Sequence, residues 1–305
     1  MNEIPGGIWP VMLTPFNVKG GIDLNGLEAL TEFYIASGAS GLFANCLSSE
    51  MFQLSPEERL ALTKAVVVFA GDRLPVFSTA TFSQDQEKNV DFISRIYDKG
   101  VTGVVINSNQ ICDESDGEGV FRSRLENLVE ATGDILLGMY ECPVPYKRLL
   151  SQELLVWMAS TGRFSYFKDT CCNNKLIRAR ISVSENSSLS LYNADTPTAL
   201  QSLRDGAAGL SPIGANFYPE LYTYLCSNAR KEETMEFMKV WQFILVNDPL
   251  VDALYPFSAK WFLQQRGLPI STHTRARLPK AQKAEMMRLQ ELLARMEALI
   301  EILKE

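Results

Sequence analysis

The chain has 305 residues, 46% of them hydrophobic and 21% charged, with a net charge of −7. Such a chain can bury a sizeable globular core, and its lack of long basic runs makes nucleic acid and anionic membrane poor partners. The single histidine, His273, excludes a two- or three-histidine zinc centre, and with no G-x-S-x-G turn it argues against a Ser-His-Asp hydrolase.

In chain order, short apolar runs alternate with longer amphipathic ones. The strand-like runs are 7–14, 41–45, 74–80, 103–107, 134–140, 164–168, 188–193 and 209–214. Helix starts fall between them. Ser55 and Glu58 form a capping box with Pro56 at the first helical position. Ser83 with Gln86 reads as a second box, and Thr196 before Pro197 as a third start. Three returns from helix to strand share a G-x-x-G pattern: Gly38/Gly41, Gly100/Gly103 and Gly206/Gly209. The first glycine suits a helix C-cap and the second a tight strand start. Eight βα repeats predict an α/β fold, a (β/α)8 TIM barrel. An open doubly wound sheet is the alternative, but no G-x-G-x-x-G follows the first strand. After about residue 217 only helical patterns remain, so residues 1–216 are expected to form the barrel and 217–305 a helical extension packed on it.

The N-terminus has no basic segment leading into a long apolar one, and no window approaches the roughly 18 apolar residues of a membrane span. The six cysteines include no C-x-x-C pair, which suits reduced thiols in a cytoplasmic protein.

Catalytic groups of such barrels sit at the C-terminal ends of strands. Lys168, ending strand six, is the leading candidate. Period-two alternation sets Phe164, Tyr166 and Lys168 on one face and Asp169 on the other. An amine topping an apolar column would lose protons easily and attack a ketone or aldehyde as a neutral nucleophile. The plain alternative is a strand-end lysine paired with a carboxylate such as Asp169. Tyr140 ends strand five beside it and could relay protons, or be a core tyrosine with a satisfied hydroxyl.

Several segments together resemble the dihydrodipicolinate synthase / N-acetylneuraminate lyase family of class I Schiff-base aldolases. They are "PVMLTPF" (10–16), "SSEMFQLSPEER" (48–59), "MYECP" (139–143), "YFKDT" (166–170), "DGAAGLSPIGANFYPEL" (205–221) and "AKWFLQQRGL…RARLP" (259–279). The resemblance implies a (β/α)8 barrel, Lys168 as the imine-forming lysine and Tyr140 as the proton shuttle of a Y-x-x-P turn. It also implies a pyruvate-like 2-keto acid as ligand, no cofactor or metal, and a homo-oligomer, tetramer or dimer.

The chain departs from the family where the substrate is held. The G-[TS]-[TG]-G-E loop is here "CLSSE", so Leu47, Ser48, Ser49 and Glu50 take the keto-acid positions, joined by Pro212 and Ile213 after strand eight. Leu47 has no hydroxyl to pass a proton. Asn109–Ile111 replaces the "PYY" turn of the synthases, and Pro145 stands where their carboxylate-binding arginine falls, with Lys147 and Arg148 slightly later. Asp195 is a candidate for substrate hydroxyls or for a helix cap. Cys46, Cys142, Cys171 and Cys172 cluster at strand tips, as packing residues or as a soft-metal or redox group. The expected function is a lyase or aldolase that makes or breaks a C–C bond of a 2-keto acid, with pyruvate as product or donor. The alternatives are a true 4-hydroxy-tetrahydrodipicolinate synthase with a rebuilt relay, and an inactive keto-acid or sugar-acid binder.

Overall fold

The structure, a computed structural model, describes residues 4–185 and 187–303. Eight parallel strands follow the order β1-β8-β7-β6-β5-β4-β3-β2. They are β1 (Gly7–Ile8), β2 (Leu42–Ala44), β3 (Val76–Thr79), β4 (Gly103–Asn107), β5 (Leu137–Tyr140), β6 (Phe164–Asp169), β7 (Ser190–Asn193) and β8 (Gly209–Leu210). Just past β1, Val11 forms a parallel bridge with Phe43 of β2, which closes the ring. The fold is the expected (β/α)8 barrel. The first run is far shorter as a strand than its apolar stretch suggests, because Pro10 has no N–H to give a ladder.

The ring helices are α1 (Leu24–Ala36), α2 (Pro56–Ala70), α3 (Gln86–Tyr97), α4 (Glu118–Ala131), α5 (Gln152–Ser160), α6 (Asn174–Ser184), α7 (Thr196–Asp205) and α8 (Pro219–Asn228). α8 packs on β1 and β8. Then follow α9 (Met235–Asp252), α10 (Phe257–Gln265) and α11 (Lys283–Ile302); α9 lies on α7 and α8, and α11 on α9 and α10. The Ser55/Glu58 capping box forms as expected. The Ser83 box does not: Asp85 caps α3 by accepting from Lys88 N–H, and the Ser83 hydroxyl instead accepts from Asp85 N–H. An aspartate nearer the helix satisfies the same orphan donors.

The G-x-x-G returns serve the two purposes read from the sequence. Gly38, Gly100 and Gly206 have φ of 80, 92 and 117°, the left-handed region that ends a helix cheaply. At Gly209 a Cβ would sit 1.9 Å from the Gly7 carbonyl oxygen, so only glycine lets β8 approach β1.

Two apolar regions result. The larger fills the space between strands and helices. The smaller plugs the barrel interior with Trp9, Phe43, Phe77, Tyr166 and Tyr192. Tyr166 stacks on Tyr192 at 4.8 Å and meets Trp9 at 5.2 Å and Phe77 at 5.5 Å. Here one expectation fails. Phe164 is not in this column; it packs outward with Trp157 of α5. The β5–β6 register shifts between Leu137 and Gly138, so Leu137 pairs Phe164 but Gly138 pairs Tyr166. The extra residue, Ser165, reverses the alternation once.

Candidate active site

β6 carries Tyr166 and Lys168 into the barrel and turns Asp169 outward. Lys168 is buried at the C-terminal mouth, with 4% of its surface exposed. Its Nζ lies 4.7 Å from the centre of the Tyr140 ring and 5.9 Å from that of Phe43. Burial in this aromatic setting lowers its pKa from 10.5 to about 8. At pH 7 roughly a tenth of such amines are neutral, against about one in three thousand for an ordinary lysine.

Asp169 does not neutralise the amine. It bonds the buried Arg180 of α6, which also pairs with Glu141 at 2.9 Å. Glu141 accepts from Leu150 N–H at 2.8 Å and Thr170 N–H at 3.1 Å. Burial still drives the Glu141 pKa upward against the pull of Arg180. This outward network ties the ends of β5 and β6 to α6, fixing the two strands that present Tyr140 and Lys168.

Burial raises the Tyr140 pKa well above that of a free phenol, so the hydroxyl stays a proton donor at neutral pH. Near it lies Cys142, a thiol that burial lifts to about 11 and that donates to Val144 O at 3.4 Å. Cys46 and Cys142 are buried near Lys168, whereas Cys172 is exposed and Cys171 half-buried. The four cysteines therefore do not converge. Among the described residues no group of three histidine, cysteine or acidic side chains is placed to hold a metal.

A cavity of about 460 Å³ opens over Lys168 and Tyr140, and Leu47, Ser48, Thr170 and Ser211 also line it. Leu47–Ser49 form one 3₁₀ turn. Its leading N–H groups have no acceptor within the turn, an arrangement suited to a carboxylate. The Ser49 hydroxyl is spent on Met12 O at 2.6 Å. Glu50 lines the cavity, but its carboxylate accepts from Lys260 Nζ at 2.6 Å, Arg275 N–H at 2.5 Å and Ala276 N–H at 2.6 Å. Glu50 thus braces the turn against the C-terminal segment. Ile213 lines the cavity; Pro212 does not. Asp195 is the N-cap of α7, accepting from Thr198 N–H at 3.1 Å, and is also absent from the lining. A somewhat larger cavity of about 550 Å³ lies between α2 and α3 around Arg59 and Phe82, just past the end of β3, and neither Lys168 nor Tyr140 lines it.

The residues that depart from the synthase pattern have other uses. Asn109 is fully buried, and its amide donates to the carbonyls of Cys142, Val144 and Tyr146, clamping the loop after β5. Arg148 donates to the carbonyls of Asp113, Glu114 and Asp116, and Lys147 to Thr170 O. Neither cation lines the cavity. His273 is exposed, as its polar loop suggested.

Sequence reasoning missed the contribution of the extension. Asp252, Tyr255, Pro256 and Ala276 all line the cavity. The Tyr255 hydroxyl accepts from Asn216 Nδ2 at 2.6 Å. No strand-end rule points beyond β8, so nothing in local periodicity marks these residues.

A closed (β/α)8 barrel with a buried amine and a phenol at its mouth defines a class of enzyme scaffold, and the comparisons name the family within it. Residues 4–296 match the profile described as the dihydrodipicolinate synthetase family, and the chain belongs to that family of lyases. A 4-hydroxy-tetrahydrodipicolinate synthase 2 of Halalkalibacterium halodurans is 28% identical over 219 residues, 71% of this chain and 73% of that protein. The 4-hydroxy-tetrahydrodipicolinate synthase of Bacillus velezensis is 24% identical over 275 residues, 90% and 92% of the two chains. Among solved structures, a dihydrodipicolinate synthase of Bacillus anthracis superposes with a TM-score of 0.85 at 21% identity, covering 96% of this chain and 99% of that one. The prophage protein YagE of E. coli K12, solved in complex with pyruvate, gives a TM-score of 0.85 at 21% identity over 96% and 98%. Among the described residues no helix is long and apolar enough to cross a membrane.

Proposed function

We propose that this protein is a class I lyase or aldolase that binds a 2-keto acid as an imine on Lys168 and makes or breaks a C–C bond, with pyruvate as product or donor. The observation that carries the reading is a buried amine with a pKa near 8 beside a protonated phenol at the barrel mouth. The neutral Lys168 amine attacks the keto carbon, and the carbonyl oxygen leaves as water. In the cleavage direction the hydroxyl two carbons from the imine loses its proton and becomes the aldehyde. The electrons of the broken C–C bond form an enamine, which takes up a proton at carbon. Water then hydrolyses the imine and frees pyruvate and Lys168. Tyr140, whose ring centre lies 4.7 Å from the amine, serves as proton donor and acceptor, and the Leu47–Ser48 backbone is the seat for the keto-acid carboxylate.

Borohydride added with pyruvate should fix a covalent adduct on Lys168, read by peptide mass spectrometry and lost in Lys168→Ala. A lack of adduct with any keto acid, or an adduct on another lysine, would refute the reading. The relatives' names favour a second reading, 4-hydroxy-tetrahydrodipicolinate synthase itself. Against it stand Leu47 without a hydroxyl, Asn109 committed to the loop clamp and Pro145 in place of an arginine. Turnover of pyruvate with aspartate semialdehyde at ordinary enzyme rates would decide for the synthase. YagE and the dihydrodipicolinate synthase of Acinetobacter baumannii are both described in complex with pyruvate, the ligand of the proposal. A homo-oligomer rests on the resemblance alone, and one solved neighbour is described as a monomeric variant.

A further inference from the structure

The cavity lining divides by chemistry. Around the amine it is polar: Tyr140, Ser48, Thr170 and Ser211. The remainder is mostly apolar: Phe52, Pro143, Val144, Ile213, Pro256 and Ala276. Among the described lining residues Lys168 is the single cation. Four basic side chains near the mouth are engaged elsewhere, and the exposed Arg277, next to Ala276, does not line the cavity. Lys260 is held by Glu50, Arg275 by Glu58 at 2.5 Å, Arg148 by three carbonyls and Lys147 by Thr170 O. The exposed lining residue with charge is acidic: Asp252, whose field reaches Asp248, which in turn feels Asp195. Lys168 and the Leu47–Ser48 turn are used by the keto acid. A carboxylate or phosphate on the second reactant would therefore meet mostly apolar walls and a carboxylate, with only the neutral donors Gln53 and Tyr255 and no cation to repay its lost hydration.

We infer that the second reactant, the aldehyde joined to or released from the keto acid, is uncharged and has an apolar body. The inference rests on the imine reading above and narrows its substrate class. It excludes amino-acid semialdehydes and phosphorylated aldehydes, since both need a cation that this cavity does not supply. The discrimination comes from the walls: an apolar body displaces water from Phe52, Val144 and Pro256, while an added charge is left unpaired.

The test uses matched aldehyde pairs that differ by one carboxylate: butanal against succinic semialdehyde, and benzaldehyde against 4-carboxybenzaldehyde. Each is assayed with pyruvate for condensation, and in parallel for binding to the borohydride-reduced pyruvyl enzyme by ligand-observed NMR. The uncharged member should lead by about tenfold or more in kcat/KM, or in affinity where turnover is slow, because an unpaired buried charge is strongly rejected. Asp252→Lys should shrink the gap by improving the anionic member, and Lys147→Ala should leave it unchanged. Equal or better use of the anionic members overturns the inference while the Lys168 adduct with pyruvate alone keeps the imine reading intact. Absence of that adduct overturns both.

Discussion

Replacing Lys168 with methionine should make this protein more stable while removing its chemistry. Burial lowers the Lys168 pKa from 10.5 to about 8. At about 1.36 kcal/mol per pH unit, holding a protonated amine there costs the fold roughly 3 kcal/mol at pH 7. The rings of Tyr140 and Phe43, at 4.7 and 5.9 Å, return part of this, on the order of 0.5–1 kcal/mol each. Methionine fills a similar volume without the charge, so Lys168→Met should gain about 1–3 kcal/mol at neutral pH, a rise of roughly 2–8 °C in Tm. The sign has a pH signature. Between pH 8 and 10.5 the unfolded chain binds the proton and the folded one does not, so wild-type stability rises with pH across that window. The advantage of methionine should therefore be full below pH 8 and fade towards pH 10.5. Thermal midpoints of both proteins at pH 7, 8, 9 and 10 measure this. A less stable variant at pH 7, or a gap that ignores pH, would refute the reasoning.

Acylation of Lys168 by a small reagent, followed by peptide mass spectrometry, should rise with pH and level off around pH 8 rather than near 10.5. Glu50→Gln should cost about 3–5 kcal/mol by stranding the buried Lys260 ammonium, and adding Lys260→Met should recover most of it in urea titrations. Gly209→Ala should prevent folding at 37 °C, judged by soluble yield and circular dichroism, because its Cβ meets the Gly7 backbone at 1.9 Å. Gly119→Ala, with nothing within 4 Å of its Cβ on α4, should instead raise stability by about 0.5–1 kcal/mol.

The barrel was legible because its signals are local and repeated: eight apolar runs, three G-x-x-G returns and helix caps at short spacing. The placement of Lys168 and Tyr140 was legible for the same reason: Tyr140 ends β5, and Lys168 stands one residue before the end of β6. Alternation failed at Phe164, where one bulged residue in β6 sent the ring outward. The roles of Glu50 and Asn109 were hidden for a different reason. Periodicity assigns a face but not a partner, and Glu50 finds Lys260 across 210 residues of sequence. Asp195 could be read two ways, and the three-residue spacing to Thr198 N–H makes it a cap.

The brace from Glu50 to Lys260, Arg275 and Ala276 also sets an order in time. Lys260 follows Glu50 by 210 residues, a delay of roughly 10–40 s at about 5–20 residues per second on the ribosome. Over the last 92 residues of that interval the strand-six lysine is already made, while the Leu47–Ser49 turn has nothing to hold it. A chain cut before residue 260 would carry its amine with that turn unbraced, so the late segment works as the last part fitted, the step after which a nascent chain can become an enzyme.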